Sequence, residues 1–307
     1  MKIAILDALT FGDTSLQAFE TLGEVTIYQT TSKEQTLGRI KEVDVVVTNK
    51  VVIDKELMTQ ANNLKLICVA ATGMNNIDLE AAKELQIEVK NVAGYSTDSV
   101  VQHTFSMLFY LIGHSRYYDE VVKDGTYSQN TIFTDVSHPF FEVKGKKWGI
   151  IGLGTIGRKV ADVATAFGAD VSYYSTSGVT REEKYPSISL QQLLKESDII
   201  SIHAPLNEKT DNLLDYEKLQ QCKDGAVVLN LGRGGIVNED AVAKIVDEKN
   251  IAFGLDVFTK EPLPKTSPLL HVEDKQRLYM TPHIAWTSVE AREKLIASIV
   301  QNIKDSF

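Results

Sequence analysis

The sequence predicts an α/β protein with two doubly wound parallel sheets, one per domain. Three observations point there. Short β-branched runs alternate with amphipathic segments along most of the chain. A glycine-rich turn, Gly152-Leu153-Gly154-Thr155-Ile156-Gly157, joins one such run to a helical segment near the middle. At 307 residues the chain is long enough to bury two cores.

Up to about residue 95, strands are expected at Ile3–Leu6, Val25–Tyr28, Val45–Thr48, Leu64–Val69 and Ile87–Asn91. Helices are expected around Ser15–Leu22, Lys33–Ile40, Lys55–Gln60 and Leu79–Leu85. This alternation implies βαβ units and a parallel sheet with helices on both faces. Open sheets of this kind bind ligands at the carboxyl ends of their strands. Two loops lie there, Asn49-Lys50 and Ala70-Ala71-Thr72-Gly73-Met74-Asn75-Asn76. The second is small and glycine-bearing, and reads equally as a surface loop or as a source of backbone N–H groups for a small anion.

One long, mostly apolar helix is expected from Ser96 to Arg116, entered through Ser96-Thr97-Asp98 and buried between domains. His103 and His114 read as packed structural histidines, and Tyr127–Phe141 as an irregular excursion. The run Lys146–Ile151 then enters the glycine turn. Gly152 permits a tight bend, Gly154 admits a pyrophosphate to the backbone, and Gly157 lets the following helix pack closely. The amides at that helix start, from Thr155 and Ile156 onward, suit phosphate. Dinucleotide binding is the expectation. Further strands follow at Val171–Tyr174, Ile199–His203, Ala226–Leu231, Ile251–Val257 and Leu278–Met280, with helices at Leu190–Lys195, Tyr216–Gln221, Glu239–Glu248 and Ser288–Ile303. The dinucleotide domain is expected over residues 97–285, and the substrate domain over 1–96 plus 286–307.

Net charge is −9 with scattered Lys and Arg, so no basic face argues for nucleic acid or an anionic membrane. The longest apolar run, Met107–Ile112, is too short to span a bilayer. A strand begins at Lys2, so no signal peptide is expected and the cytoplasm is the expected location. Cys68 and Cys222 read as reduced thiols, and no Cys/His cluster has metal-ligand spacing.

Three reactive side chains fall at the ends of the later strands: Arg233 after the fourth, Glu261 after the fifth and His283 after the last. In a parallel sheet those ends share the edge that carries Gly152. Arg233 can hold a carboxylate and polarise a keto oxygen. His283 can act as general acid in reduction and general base in oxidation. Glu261, bonded to its other ring nitrogen, would fix the tautomer and favour the imidazolium. Hydride transfer to a 2-oxo acid fits this set, in a cleft between two sheets.

These motifs make the chain similar to the D-2-hydroxyacid dehydrogenases over essentially its full length. They are the glycine turn, Asn230-Leu231-Gly232-Arg233-Gly234-Gly235, Leu255-Asp256-Val257-Phe258 with Glu261-Pro262, and Pro282-His283-Ile284-Ala285-Trp286. The resemblance implies a flavodoxin-like substrate domain and a Rossmann dinucleotide domain, with Arg233, Glu261 and His283 as catalytic set. It also implies that Thr72 and Gly73 offer amides to the substrate carboxylate beside Arg233 and His283. Cofactor contacts are implied for Gly152, Gly154, Thr155, Ile156, Ser175, Thr176, His203, Ala204, Pro205, Leu231 and Gly232, with Asp256 on the nicotinamide carboxamide. A homodimer is implied too. Within the family, Tyr95–Val100 and Pro282–Trp286 are most similar to glycerate dehydrogenases, or hydroxypyruvate reductases, acting on hydroxypyruvate or glyoxylate to give D-glycerate or glycolate.

One departure concerns the cofactor, NAD(H) or NADP(H). A carboxylate at the end of the second strand favours NAD, but Val171–Tyr174 runs into Ser175-Thr176-Ser177 with Arg181 nearby. Dual use or a lean to NADP(H) is therefore expected. Competing readings are a D-lactate or other 2-oxo acid reductase, formate dehydrogenase, and a dinucleotide-sensing corepressor-like protein.

Overall fold

Runs such as Val45-Val46-Val47-Thr48 are buried at every residue, as strands covered by helices on both faces must be. The computed structural model describes residues 1–179 and 184–307. Met1–Ser96 with Thr287–Phe307 forms one unit, and Thr97–Trp286 forms another.

The first unit runs β1 (Lys2–Ile5), β2 (Glu24–Ile27), α1 (Lys33–Ile40), β3 (Val45–Thr48), α2 (Lys55–Gln60), β4 (Leu66–Val69), α3 (Leu79–Glu84) and β5 (Glu88–Lys90). Its five strands are parallel in the order β2-β1-β3-β4-β5, the flavodoxin-like doubly wound order. Asp54 and Asp78 cap α2 and α3 by accepting from Leu57 N and Ala81 N, each at 3.0 Å. The C-terminal helix Val289–Lys304 belongs to this unit, burying Leu295, Ile299 and Ile303.

The second unit opens with α4 (Thr97–Ile112) and α5 (Ser115–Lys123). It continues with β6 (Lys147–Ile151), α6 (Thr155–Ala166), β7 (Asp170–Tyr174), α7 (Leu190–Glu196), β8 (Ile199–Ile202), α8 (Tyr216–Gln220), β9 (Val227–Asn230), α9 (Glu239–Glu248), β10 (Ala252–Leu255) and β11 (Leu278–Met280). Six parallel strands lie in the order β11-β10-β9-β8-β6-β7. The winding reverses between β6 and β8, which opens a crevice at their carboxyl ends. Helix α4 packs on β9, β10, β11 and α6. Gly254 allows this, because a Cβ there would stand 2.7 Å from Leu229 Cδ2 and 3.3 Å from Met107 Cε.

Two expected helices are corrected. Ser15–Leu22 holds only a 3₁₀ turn, Gln17–Thr21, which closes over the buried Phe19. The single helix expected over Ser96–Arg116 is two, α4 and α5. Gly113 and a left-handed His114 (φ +47°) break the ladder between them. Both cysteines are buried, and desolvation pushes their thiols up to about 12, so neither forms a reactive thiolate at neutral pH. No described helix is long and apolar enough to cross a membrane, and no group of metal-ligating side chains occurs among the described residues.

Candidate active site

Strand β6 ends in a turn that only glycine can make. Gly152 has φ +91°, and a Cβ there would sit 3.0 Å from Ala204. A Cβ at Gly157 would meet Gly152 O at 2.3 Å, so α6 starts hard against the turn. Gly154 differs: a Cβ there would meet nothing within 4 Å. Protein packing does not require that glycine, and the space it leaves is where a pyrophosphate would approach. The first amides of α6, at Thr155 and Ile156, have no intrahelical acceptor, and no side chain caps them.

A cavity of about 540 Å³ opens beside this turn, with Gly152, Gly154, Ser175, Thr176, His203 and Pro205 on its wall. Both ring nitrogens of His203 are buried with no hydrogen-bond partner among the described residues, and burial pushes its imidazole down to about 3. A neutral ring with two unsatisfied polar atoms fits a bound polar group. These residues fit a nicotinamide dinucleotide, whose phosphates the α6 amides would hold. The rest of the expected cofactor set lies elsewhere. Ala204 is buried beneath Gly152 and Gly232 and packs the turn from below. Leu231 is also buried, and a Cβ at Gly232 would stand 2.8 Å from Ala204 O, so neither opens onto the cavity. Arg181 lies outside the described residues.

At the same sheet edge, Arg233 follows β9, Glu261 follows β10 and His283 follows β11. Glu261 Oε2 accepts from His283 Nδ1 at 2.8 Å, and its Oε1 accepts from Phe258 N at 3.0 Å. The carboxylate thus ties its own loop to the imidazole and leaves His283 Nε2 with no partner among the described residues. Asn230 holds the Arg233 loop, accepting from Gly232 N at 3.1 Å and donating to Arg233 O at 2.9 Å. Gly234 lets that loop press on the next one: a Cβ there would meet Phe258 O at 1.9 Å. Arg233 Nη1 donates to Gly232 O at 2.8 Å, and its other guanidinium nitrogens make no hydrogen bond among the described residues.

Asp256 is corrected. Its side chain is fully buried, and the carboxylate is spent on the protein. Oδ1 accepts from Thr281 Oγ1 at 2.6 Å and Ile284 N at 2.8 Å, and Oδ2 accepts from Ala285 N at 3.0 Å. No exposed oxygen remains for a nicotinamide carboxamide. Its task is to hold the turn that carries His283. Asn230, Thr281 and His103 are site residues that sequence reasoning misses. Asn230 opens the Asn230–Gly235 motif, whereas His103 meets Thr281 only because α4 packs on β11.

In the first unit, the expected substrate residues Thr72 and Gly73 follow β4. Thr72 Oγ1 donates to Val92 O at 3.2 Å and Thr72 O accepts from Asn91 Nδ2 at 2.6 Å, which pins the loop. The backbone N–H groups of Thr72 and Gly73 meet no acceptor among the described residues.

A glycine turn at the sheet's switch point and an acid–imidazole pair on the same edge define an oxidoreductase that uses a nicotinamide dinucleotide. Residues 105–285 match the D-isomer specific 2-hydroxyacid dehydrogenase, NAD binding domain, family. A hydroxypyruvate reductase of Blautia hydrogenotrophica is 34% identical, covering 99% of this chain and 96% of the relative. Two solved structures are each 28% identical. One is an acyclic imino acid reductase in complex with NADPH and D-Arg, with a TM-score of 0.87 and coverage of 99% and 96%. The other is the D-lactate dehydrogenase of Aquifex aeolicus with NAD and lactic acid, with a TM-score of 0.85 and coverage of 99% and 95%. The chain belongs to the D-isomer specific 2-hydroxyacid dehydrogenase family.

Proposed function

We propose that the protein interconverts a small 2-oxo acid and its D-2-hydroxy acid, with hydroxypyruvate or glyoxylate reduced to D-glycerate or glycolate. The Glu261–His283 pair carries this reading: one ring nitrogen is fixed by a carboxylate and the other has no partner among the described residues. In reduction, His283 gives its Nε2 proton to the keto oxygen; in oxidation it takes that proton back. Glu261 orients the ring and holds the Nδ1 proton. Arg233 spans the substrate carboxylate and the keto oxygen with its fork of donors. The amides of Thr72 and Gly73 add hydrogen bonds to the carboxylate. With the phosphates of a dinucleotide held at the Gly152 turn, its reduced nicotinamide would supply the hydride.

The relative named hydroxypyruvate reductase supports the substrate. A panel of hydroxypyruvate, glyoxylate, pyruvate, branched 2-oxo acids and formate tests it. Highest kcat/KM is expected for hydroxypyruvate or glyoxylate; highest activity with pyruvate or formate overturns the choice.

For the cofactor, our reading is dual use with a lean to NADPH. Strand β7 ends without a carboxylate, and Ser175, Thr176 and Ser177 face the cavity. Ser175 Oγ already donates to Val179 O at 2.7 Å, so its proton is not available to a phosphate while that bond stands, whereas the Thr176 hydroxyl has no partner among the described residues. Lys209 lines the same cavity with a positive charge, and Glu208 beside it supplies the opposing one. A kcat/KM for NADPH equal to or above that for NADH is expected, and a strong NADH preference contradicts the lean. A cytoplasmic homodimer completes the reading, with the exposed Phe133 and Phe140 of the irregular 127–141 segment as the surface buried on pairing.

A further inference from the structure

Resting on the role proposed for His283, we propose that His103 is a positioning residue that holds the His283 turn in register through Thr281 and Asp256. The turn needs holding. His283 sits at φ +56°, a left-handed conformation that a residue with a Cβ rarely adopts. Its own N–H points back to Asp256 O at 2.8 Å and Thr281 O at 2.9 Å. The next two amides, Ile284 N and Ala285 N, both end on the Asp256 carboxylate.

That carboxylate is in turn set by a relay. A carboxylate only accepts, so the Thr281 hydroxyl, 2.6 Å from Asp256 Oδ1, spends its single proton there. His103 Nε2 lies 3.0 Å from the same hydroxyl oxygen and must therefore be the donor. His103 is thus in its Nε2–H form. Burial pushes its imidazole down, outweighing the opposite pull of Asp256 3.6 Å away, and so keeps the ring neutral. The direction of both bonds follows: His103 to Thr281, Thr281 to Asp256, and Asp256 receiving two amides of the turn. Ser99 Oγ makes a second tie from the same helix, donating to Ala285 O at 2.6 Å. Helix α4 thereby anchors the segment that carries the proposed proton donor, although no atom of His103 is assigned to the chemistry.

The relay needs an N–H donor at Nε2 and no charge, which separates it from a packing role. Glutamine places an N–H there; leucine fills the space without one. His103→Leu is expected to lower kcat by about tenfold, the effect of one buried hydrogen bond lost, with the Kd for NADH unchanged. Exchange of the Ile284 and Ala285 amides, followed by hydrogen–deuterium exchange in the cofactor-free protein, is expected to rise by a similar factor. His103→Gln is expected to match wild type in both. Thr281→Val removes the middle of the relay at nearly constant shape, and should speed the same two amides even if His103→Leu does not fold. Unchanged amide exchange in both His103→Leu and Thr281→Val overturns the proposal, as does a glutamine variant as impaired as the leucine one. A wild-type enzyme inert toward every 2-oxo acid refutes the proposed function instead, and the exchange measurements still decide the relay.

Discussion

His283→Gln is expected to lower kcat by about three orders of magnitude, inside the range for loss of a positioned general acid, while leaving the Kd of the dinucleotide unchanged. Glutamine keeps the side chain's first carbons and its hydrogen-bonding capacity at the left-handed turn, but it cannot transfer a proton. The dinucleotide cavity is walled by the Gly152 turn, the end of β7 and the start of the loop after β8, and His283 is not on that wall. Steady-state kinetics with hydroxypyruvate, alongside titration of NADH fluorescence, separates the two effects. Lost cofactor binding with kcat retained would place His283 in the wrong role.

Arg233→Gln is expected to act differently, raising KM and lowering kcat together. A guanidinium that grips the carboxylate binds in the ground state, and one that polarises the keto oxygen also acts in the transition state. Two charge-assisted hydrogen bonds lost correspond to a fall in kcat/KM of about 10²–10⁴-fold. Arg233→Lys should recover little of it, because an ammonium cannot span both oxygens in the planar fork geometry. Stability should barely move, since the one hydrogen bond from the Arg233 side chain among the described residues is to the neighbouring Gly232 O. A change in KM alone, with kcat intact, would remove Arg233 from the polarising role and leave it as a binding group.

Much of this was legible in the chain because the signals are local. Strands β3, β4 and β6 are apolar runs bounded by polar turns, and a parallel sheet places their carboxyl ends on one edge whatever the loops do. Gly152 and Gly157 announce a close approach, and in the fold a Cβ at either would stand within 3.0 Å of a neighbouring atom. Glu261 and His283 meet because β10 and β11 are neighbours with both loops at the same end. Asp256 was misread for the opposite reason. Whether a carboxylate at a strand end faces a ligand or turns inward depends on which amides the next loop presents, and Ile284 and Ala285 lie on a different strand's loop. His103 is remote in the same way: its partner Thr281 is far along the chain, brought near by the packing of α4 on β11. The break at Gly113-His114 went unseen because the apolar period runs through Ile112 and a lone glycine does not always end a helix. At Ser175, a hydroxyl read as available proves committed to Val179 O, a local turn contact that residue type alone does not reveal.

A crystal structure of the enzyme with a nicotinamide dinucleotide and a non-reactive 2-oxo acid analogue bears most directly on the proton donor. His283 Nε2 should lie about 3 Å from the analogue's keto oxygen or its equivalent, with Nδ1 still on Glu261 and the guanidinium of Arg233 on the analogue's carboxylate. An imidazole turned away from the bound analogue, or an analogue seated where neither Arg233 nor His283 touches it, contradicts the assignment of these residues to 2-oxo acid reduction.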